Sequence, residues 1–384
     1  MRITAIIACV LCLAACVSVN HRELYPLPGA YAYSIPVKEN DGISVGTAAG
    51  APFDAAHMSR LTEFFTLLKQ GLFGEVHGVL LAYDGRLVVE EYFPGYRFHG
   101  PLTRFTAADT HHLASVTKSL TSLCVGIAVD KGFIKDIDSP FLDYYQNDTV
   151  PDRDTKNGIT LRHLLTMTAG LEWDEWSLPY TDLRNDVVRL YRSPDPLAFC
   201  LARRPVAEPG ARWVYSGAYP NLLGDIVRRS SGLSLDKFAG TYLYKPLGIT
   251  QGTWITLAKG FIYASGDAEL RPRDMLKIGL MVANRGEWNG KRIVSRKWIE
   301  ESMRPAARAD ASQQYGFMWW LPDLPEPLNE TMGPVWMASG WGDQFIVVAP
   351  QRKLVLVITG GNYAPPYPGQ MPILSYMLKE LFAI

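Results

Sequence analysis

The chain has 384 residues, of which 48% are apolar, 11% aromatic and 20% charged; that balance belongs to a globular protein with a sizeable core and excludes a disordered chain. Lysine plus arginine and aspartate plus glutamate stand at 38 each. No overall field therefore draws the protein to nucleic acid or to an anionic lipid surface, and partners must be argued from sites.

The first stretch, "MRITAIIACVLCLAAC", has one early cation at Arg2, an apolar run from Ile3 to Leu13, and Ala14 and Ala15 before Cys16. This is signal-peptide grammar, and the run is too short to stay as a membrane span. "LAAC" resembles a bacterial lipobox, which implies that residues 1–15 are removed and that Cys16 carries lipid and anchors the protein to a membrane. Val17, rather than Asp, follows the cysteine, as in lipoproteins sent to an outer membrane, so a periplasm-facing position is expected. Removal of 1–15 takes away Arg2 and no acid, leaving 37 cations against 38 anions. Cys9 and Cys12 leave with the signal. Cys124 and Cys200 are then expected as two free buried thiols, because nothing in the sequence places them near each other. Residues 16–52 bear Pro, Gly and Tyr without sustained periodicity and read as a tether.

Regular structure starts near Asp54. Leu61, Phe64, Phe65 and Leu68 recur at helical spacing, and "GVLLAYDGRLVVEEYF" holds two β-rich runs around Asp84-Gly85, a hairpin signal. Near the other end "QFIVVAP" and "KLVLVITGG" read as a second strand pair, followed by a helix with Leu374, Met377, Leu378 and Leu381 on one face. The middle is mostly helical or irregular. The simplest organisation is an α/β domain built from 53–124 and 282–384, with a mostly helical domain, 125–281, inserted between its halves.

Within "HHLASVTKSLTSLCVGIAVDKG" Ser115 and Lys118 stand three residues apart, where polar chain gives way to a buried stripe of Leu120, Leu123, Cys124 and Ile127. The chain holds 20 serines and 14 lysines, so about one S-x-x-K is expected by chance, and the motif counts only in context. It occurs twice, at Ser115 and at Ser234. Ser234 opens a short segment in which Lys237 follows Asp236, which reads as a helix cap beside a solvated lysine. Ser115 and Lys118 lie instead one turn apart on the first turn of an interior helix. A serine hydroxyl needs a base before it attacks, and a desolvated lysine can be that base. Backbone N–H groups at the same helix start can hold an oxyanion. Of the other nucleophile and metal signatures, H-E-x-x-H is absent, C-x-x-C occurs only at Cys9 and Cys12, which leave with the signal, and G-x-S-x-G only around Ser44, inside the stretch that reads as a tether. His111-His112 reads as a solvated or capping pair, and no cofactor or metal is expected.

Four blocks in order, "SVTK", "ITLRHLLTMTAGL", "PGARWVYSGAYPNLLGDIVRRSSG" and "ASGWGDQ", resemble the serine β-lactamase and penicillin-binding-protein-like hydrolases. The likeness is to the class C-related branch that also holds esterases, D-aminopeptidases and oligoamide hydrolases, and it runs from about Asp54 to the C-terminus. It implies an antiparallel sheet flanked by helices with an inserted mostly helical domain. It also implies Ser115 as the acylated nucleophile, Lys118 as its proton partner and Tyr215 as the proton shuttle to the leaving group. Ser339 and Gly340 would lie on a strand lining the cleft, with the Trp341 N–H as the second oxyanion donor.

Two departures bear on substrate. Gly217 stands where the family's second motif often has Asn, and Ala338 where the third motif often has Lys or His, so side chains that grip a β-lactam's amide and carboxylate are missing. Trp173, Trp176, Trp319, Trp320, Trp336 and Trp341 suggest an aromatic-walled cleft, although core packing explains any one of them equally well. The expectation is a serine hydrolase acting on small esters or amides in the cell envelope. The alternatives are a catalytically weak or silent lipoprotein that binds cell-wall fragments or a partner, and a true β-lactamase or D-Ala-D-Ala peptidase.

Overall fold

The computed structural model describes residues 24–49, 53–366 and 370–381; the signal and Cys16 fall outside them, whereas residues 24–49 of the expected tether are described and pack on the fold, the Tyr31 ring stacking on Phe65 at 4.4 Å and the Tyr33 hydroxyl donating to Val88 O at 3.0 Å. The chain divides into two compact units. One comprises the segments up to His112, Leu270–Asn284 and from Asp323 onward, and the other Leu113–Glu269 and Arg285–Pro322.

The first unit is a sheet drawn from both ends of the chain. Its strands run in the order Ser44–Val45, Arg86–Tyr92, Val76–Tyr83, Leu354–Gly360, Gln344–Ala349, Trp336–Gly340. All neighbours are antiparallel except the first pair. The expected hairpin is present: Asp84 and Gly85 both take positive φ, 47° and 75°, as a two-residue turn matched to strand twist requires. The second expected pair is in the register Leu356↔Val347, and it meets the first through Leu80↔Val357. Helices lie against this sheet. In Ala55–Lys69 the stripe Leu61, Phe64, Phe65 and Leu68 is buried as its spacing predicts, with Asp54 capping the helix by accepting from the Ala56 and His57 N–H groups. The ring of Phe64 stacks on Tyr376 of the Ile373–Tyr376 helix. In Pro272–Ala283, Gly279 lets helix and sheet approach, since a Cβ there would lie 2.5 Å from Val355 Cγ1.

The second unit is mostly helical. Val116–Asp130 and Ala218–Ser231 pack on each other, and a short antiparallel meander, Ala307–Asp310, Gln313–Tyr315, Trp320–Pro322, belongs to this unit. The division differs from the sequence-based one at its edges. The Ser115-bearing helix, expected in the α/β domain, belongs here, because Gly126 receives the Trp298 ring at a distance that excludes any Cβ (2.4 Å) and Thr121 Oγ1 donates to Ala264 O. Residues 270–281, expected in the insertion, belong with the sheet they cover. Cys124 and Cys200 are free and buried.

His111 and His112 correct the reading of a solvated pair: both are buried. His111 Nδ1 donates to the His112 carbonyl (3.1 Å), so its Nε2 accepts from His77 Nδ1 (2.6 Å), and His77 Nε2 meets the Glu75 carboxyl at 2.7 Å. Burial, and then the neighbouring His77, push His111 well below its ordinary value of 6.5. A base whose folded value is depressed binds its proton in the unfolded chain first, so stability falls as pH drops below 6.5. The cost is about 1.4 kcal/mol per pH unit for one such group. Thermal melting followed from pH 7 down to about pH 5 is expected to show a shallower loss in His111→Gln than in the parent chain; parallel curves would remove His111 as the cause.

Candidate active site

Ser115 owes its position to an abrupt change of chain direction. Ala114 adopts φ +44°, a conformation that side-chain-bearing residues rarely adopt. Its carbonyl is fastened by the Thr117 hydroxyl at 2.7 Å. The helix starts immediately afterwards, with Ser115 at its cap position but with no capping bond from its hydroxyl. The Oγ is thus left to Lys118. Helical spacing brings Lys118 Nζ to 2.9 Å from Ser115 Oγ, and the same ammonium donates to the Ser265 carbonyl at 2.7 Å. Lys118 is only 3% exposed, so these oxygens replace the water it has lost.

Tyr215 closes the group. It precedes the Ala218–Ser231 helix, and its backbone is pinned by the neighbouring Val214 N–H donating to Met167 O (2.8 Å). Lys118 Nζ stands 4.6 Å from the centre of its ring, and its hydroxyl interacts with both Ser115 and Lys118. Burial raises the phenol's pKa, and the Lys118 charge works against that rise. Ser115, Lys118 and Tyr215, singled out from widely separated blocks, thus meet within one unit. The other S-x-x-K does not form a site: Ser234 takes the cap position of Leu235–Ala239, and Lys237 is exposed.

Several residues escaped the sequence reading. Asn221 Nδ2 donates to Gly217 O (2.7 Å) and Ser265 Oγ (3.0 Å), and its Oδ1 accepts from the Ala264 N–H (2.8 Å). It therefore ties the Tyr215 segment to the carbonyl that holds Lys118. Glu175, fully buried, accepts from Trp173 Nε1 (2.6 Å) and from the Gly217 N–H (3.1 Å). Burial pushes its carboxyl up, and the Lys118 charge draws it back. No local signal marks either residue, since an acid in a loop and an amide on a helix read as solvated.

The expected aromatic wall is present around Tyr215, with a changed membership. Trp176 stacks on the Tyr215 ring at 4.8 Å and Trp320 at 5.5 Å, while Trp213 and Tyr315, which the sequence did not single out, stand at 6.0 and 6.4 Å. Trp176 is 59% exposed, whereas Trp319 is core. Gly217 has a packing reason: a Cβ would stand 3.0 Å from the Trp173 ring and 3.3 Å from Ser265 Oγ.

Ser339, Gly340 and Trp341 lie on the first unit. Ser339 and Gly340 end the Trp336–Gly340 strand, opposite Phe345 and Gln344. The Trp341 ring meets Tyr363 at 5.1 Å, and Trp336 is half-buried on the same strand. Ala338 is fully buried. Among the described residues no group of three His, Cys, Asp or Glu side chains is arranged to hold a metal ion, and no helix is long and apolar enough to cross a membrane.

Known proteins resemble this chain in sequence and in fold. The sequence model of the Beta-lactamase family matches residues 69–366. A 6-aminohexanoate-dimer hydrolase of Paenarthrobacter ureafaciens is 29% identical over 233 residues, 57% of each chain. A β-lactamase of Escherichia coli K12 is 27% identical over 243 residues, 63% of this chain and 58% of its own. The matched region thus spans less than two thirds of either relative. A family VIII carboxylesterase has the same fold, with a TM-score of 0.65 over 84% of this chain and 96% of its own at 19% identity. The match to the family model covers most of the chain, and this protein therefore belongs to the β-lactamase and penicillin-binding-protein-like family of serine hydrolases.

Proposed function

We propose that the protein hydrolyses small carboxylic esters or amides through an acyl-enzyme, with Ser115 as nucleophile. The observation that carries this reading is the 2.9 Å contact of Lys118 Nζ with Ser115 Oγ in a buried setting beneath the Tyr215 ring. Ser115 Oγ bonds to the substrate carbonyl carbon while its proton passes to Lys118 Nζ, which accepts it in the neutral amine form reached once the ammonium has lost a proton to solvent, and is relayed to Tyr215. The bond to the leaving group then breaks, and that group departs with a proton delivered by Tyr215. Water repeats the sequence on the acyl-enzyme, releasing the acid and returning the proton to Ser115. The N–H of Ser115, at the start of its helix, is a proposed oxyanion donor.

Small esters suit the site better than β-lactams. An ester needs a nucleophile, oxyanion donors and an apolar wall, and Trp176 and Trp320 beside Tyr215 supply such a wall. A β-lactam needs its amide and carboxylate held as well. Gly217 has no side chain, and even a Cβ there would crowd the Trp173 ring, while Ala338 sits in the core, where a cation would be buried at considerable cost. The signal-like N-terminus and Cys16 support a place in the bacterial envelope, lipid-anchored and facing the periplasm.

A fluorophosphonate probe is expected to label the protein, Ser115→Ala to abolish labelling and turnover, and Ser234→Ala to change neither by more than a few-fold. Lys118→Ala and Tyr215→Phe should each lower turnover by roughly 100- to 10,000-fold, and their losses should not add in the double variant, since the groups act as one unit. Absence of labelling in the parent chain would favour a binding lipoprotein instead. In a parallel assay p-nitrophenyl butyrate is expected to be cleaved measurably and a chromogenic cephalosporin far more slowly; preference for the cephalosporin over every ester would make the protein a β-lactamase.

A further inference from the structure

A carboxylate buried beside a catalytic lysine, yet bonded to neither that lysine nor the serine, calls for a reason. Burying an ionised carboxyl costs several kcal/mol unless its oxygens are satisfied. Glu175 is held by two N–H donors on one oxygen: the Trp173 indole and the backbone of Gly217, two residues after Tyr215. The same Gly217 offers its carbonyl to Asn221, whose amide also binds Ser265 Oγ. Ser265 O in turn receives Lys118 Nζ. Glu175 therefore stands at one end of a hydrogen-bonded chain that runs through the Tyr215 turn to the lysine.

We propose that Glu175 is a positioning residue for the acyl transfer: its carboxylate grips the Gly217 N–H, holds Tyr215 against Ser115 and Lys118, and places a fixed negative charge beside that group. The inference rests on the reading of Ser115 as nucleophile. The titratable groups around Glu175 are Lys118, Asp186, Tyr180, Tyr215, Tyr263 and Tyr315, each of which interacts with it electrostatically. Among these only Lys118 brings a positive charge, and the Glu175 charge raises the pKa of the Tyr215 phenol. Whichever neighbour governs the reaction, removal of a negative charge disfavours its protonated form and moves its titration to lower pH.

The test is the rate of Ser115 labelling by a fluorophosphonate as a function of pH, which needs no knowledge of the natural substrate, together with turnover of p-nitrophenyl butyrate. Glu175→Gln keeps the shape and an acceptor oxygen but removes the charge. Its profile is expected to shift to lower pH by about half a unit or more, with a rate loss of about ten- to a hundred-fold from the loosened turn. Glu175→Asp keeps the charge on a shorter arm, so it should lose rate while holding the parental pH position; it also stands in should the Gln variant fail to melt cooperatively. Parental rates and a superimposable profile in Glu175→Gln would overturn the role, as would equal losses in both variants with no displaced profile. A parental protein that no fluorophosphonate labels overturns the hydrolase reading itself, and this inference with it.

Discussion

An amine that is 3% exposed must find oxygen atoms in place of water, and the satisfaction of Lys118 is the constraint from which the rest of the site follows. Ser115 Oγ is one of its partners, supplied by helix spacing alone. The other, Ser265 O, lies 147 residues away in sequence. That carbonyl must therefore be fixed independently, and the Asn221 side chain does this by bonding Ser265 Oγ and the Ala264 N–H together. The Tyr215 ring packs on the ammonium from another direction, where a desolvated cation gains from the face of an aromatic ring. Ser115, Lys118 and Tyr215 are thus held together by one problem of burial and its solution.

The same logic accounts for the residues that depart from the family pattern. With Trp173 donating to Glu175 and its ring lying over Gly217, the space in which an asparagine would stand is already filled by tryptophan. The amide in this region belongs instead to Asn221, where three hydrogen bonds consume it structurally. Ala338 occupies a core position on its strand, opposite Ile346. Both losses of polar substrate grips coincide with gains in packing, and the surface left around Tyr215 is aromatic. Such a surface discriminates by shape and apolar area more than by hydrogen bonds.

In the first unit, His111 shows how far burial can alter the meaning of a polar motif. Two consecutive histidines read as exposed because imidazole is usually half-solvated, yet here a chain of hydrogen bonds from Glu75 through His77 and His111 to a backbone carbonyl lets the polar rings sit in the core. Nothing within three or four residues of His111 announces it, for His77 is 34 positions distant.

What the sequence determined by itself was whatever depends on local periodicity: the buried stripe of Ala55–Lys69, the turn at Asp84-Gly85, the strand runs at both ends, and the pairing of Ser115 with Lys118, which a single helical turn enforces. Tyr215 was accessible only through its motif, since no spacing rule links it to Ser115. What the tertiary structure alone decided was the environment of those groups: Glu175 beneath Gly217, Asn221 and Ser265 behind the lysine, Trp213 and Tyr315 beside the tyrosine, and the unit to which the Ser115 helix belongs. Apart from Trp213, two residues from Tyr215, these are contacts across tens of residues or more, and their energies come from desolvation and from hydrogen bonds completed only when distant segments meet. A linear sequence records the residues that take part in them but not the burial that makes them necessary.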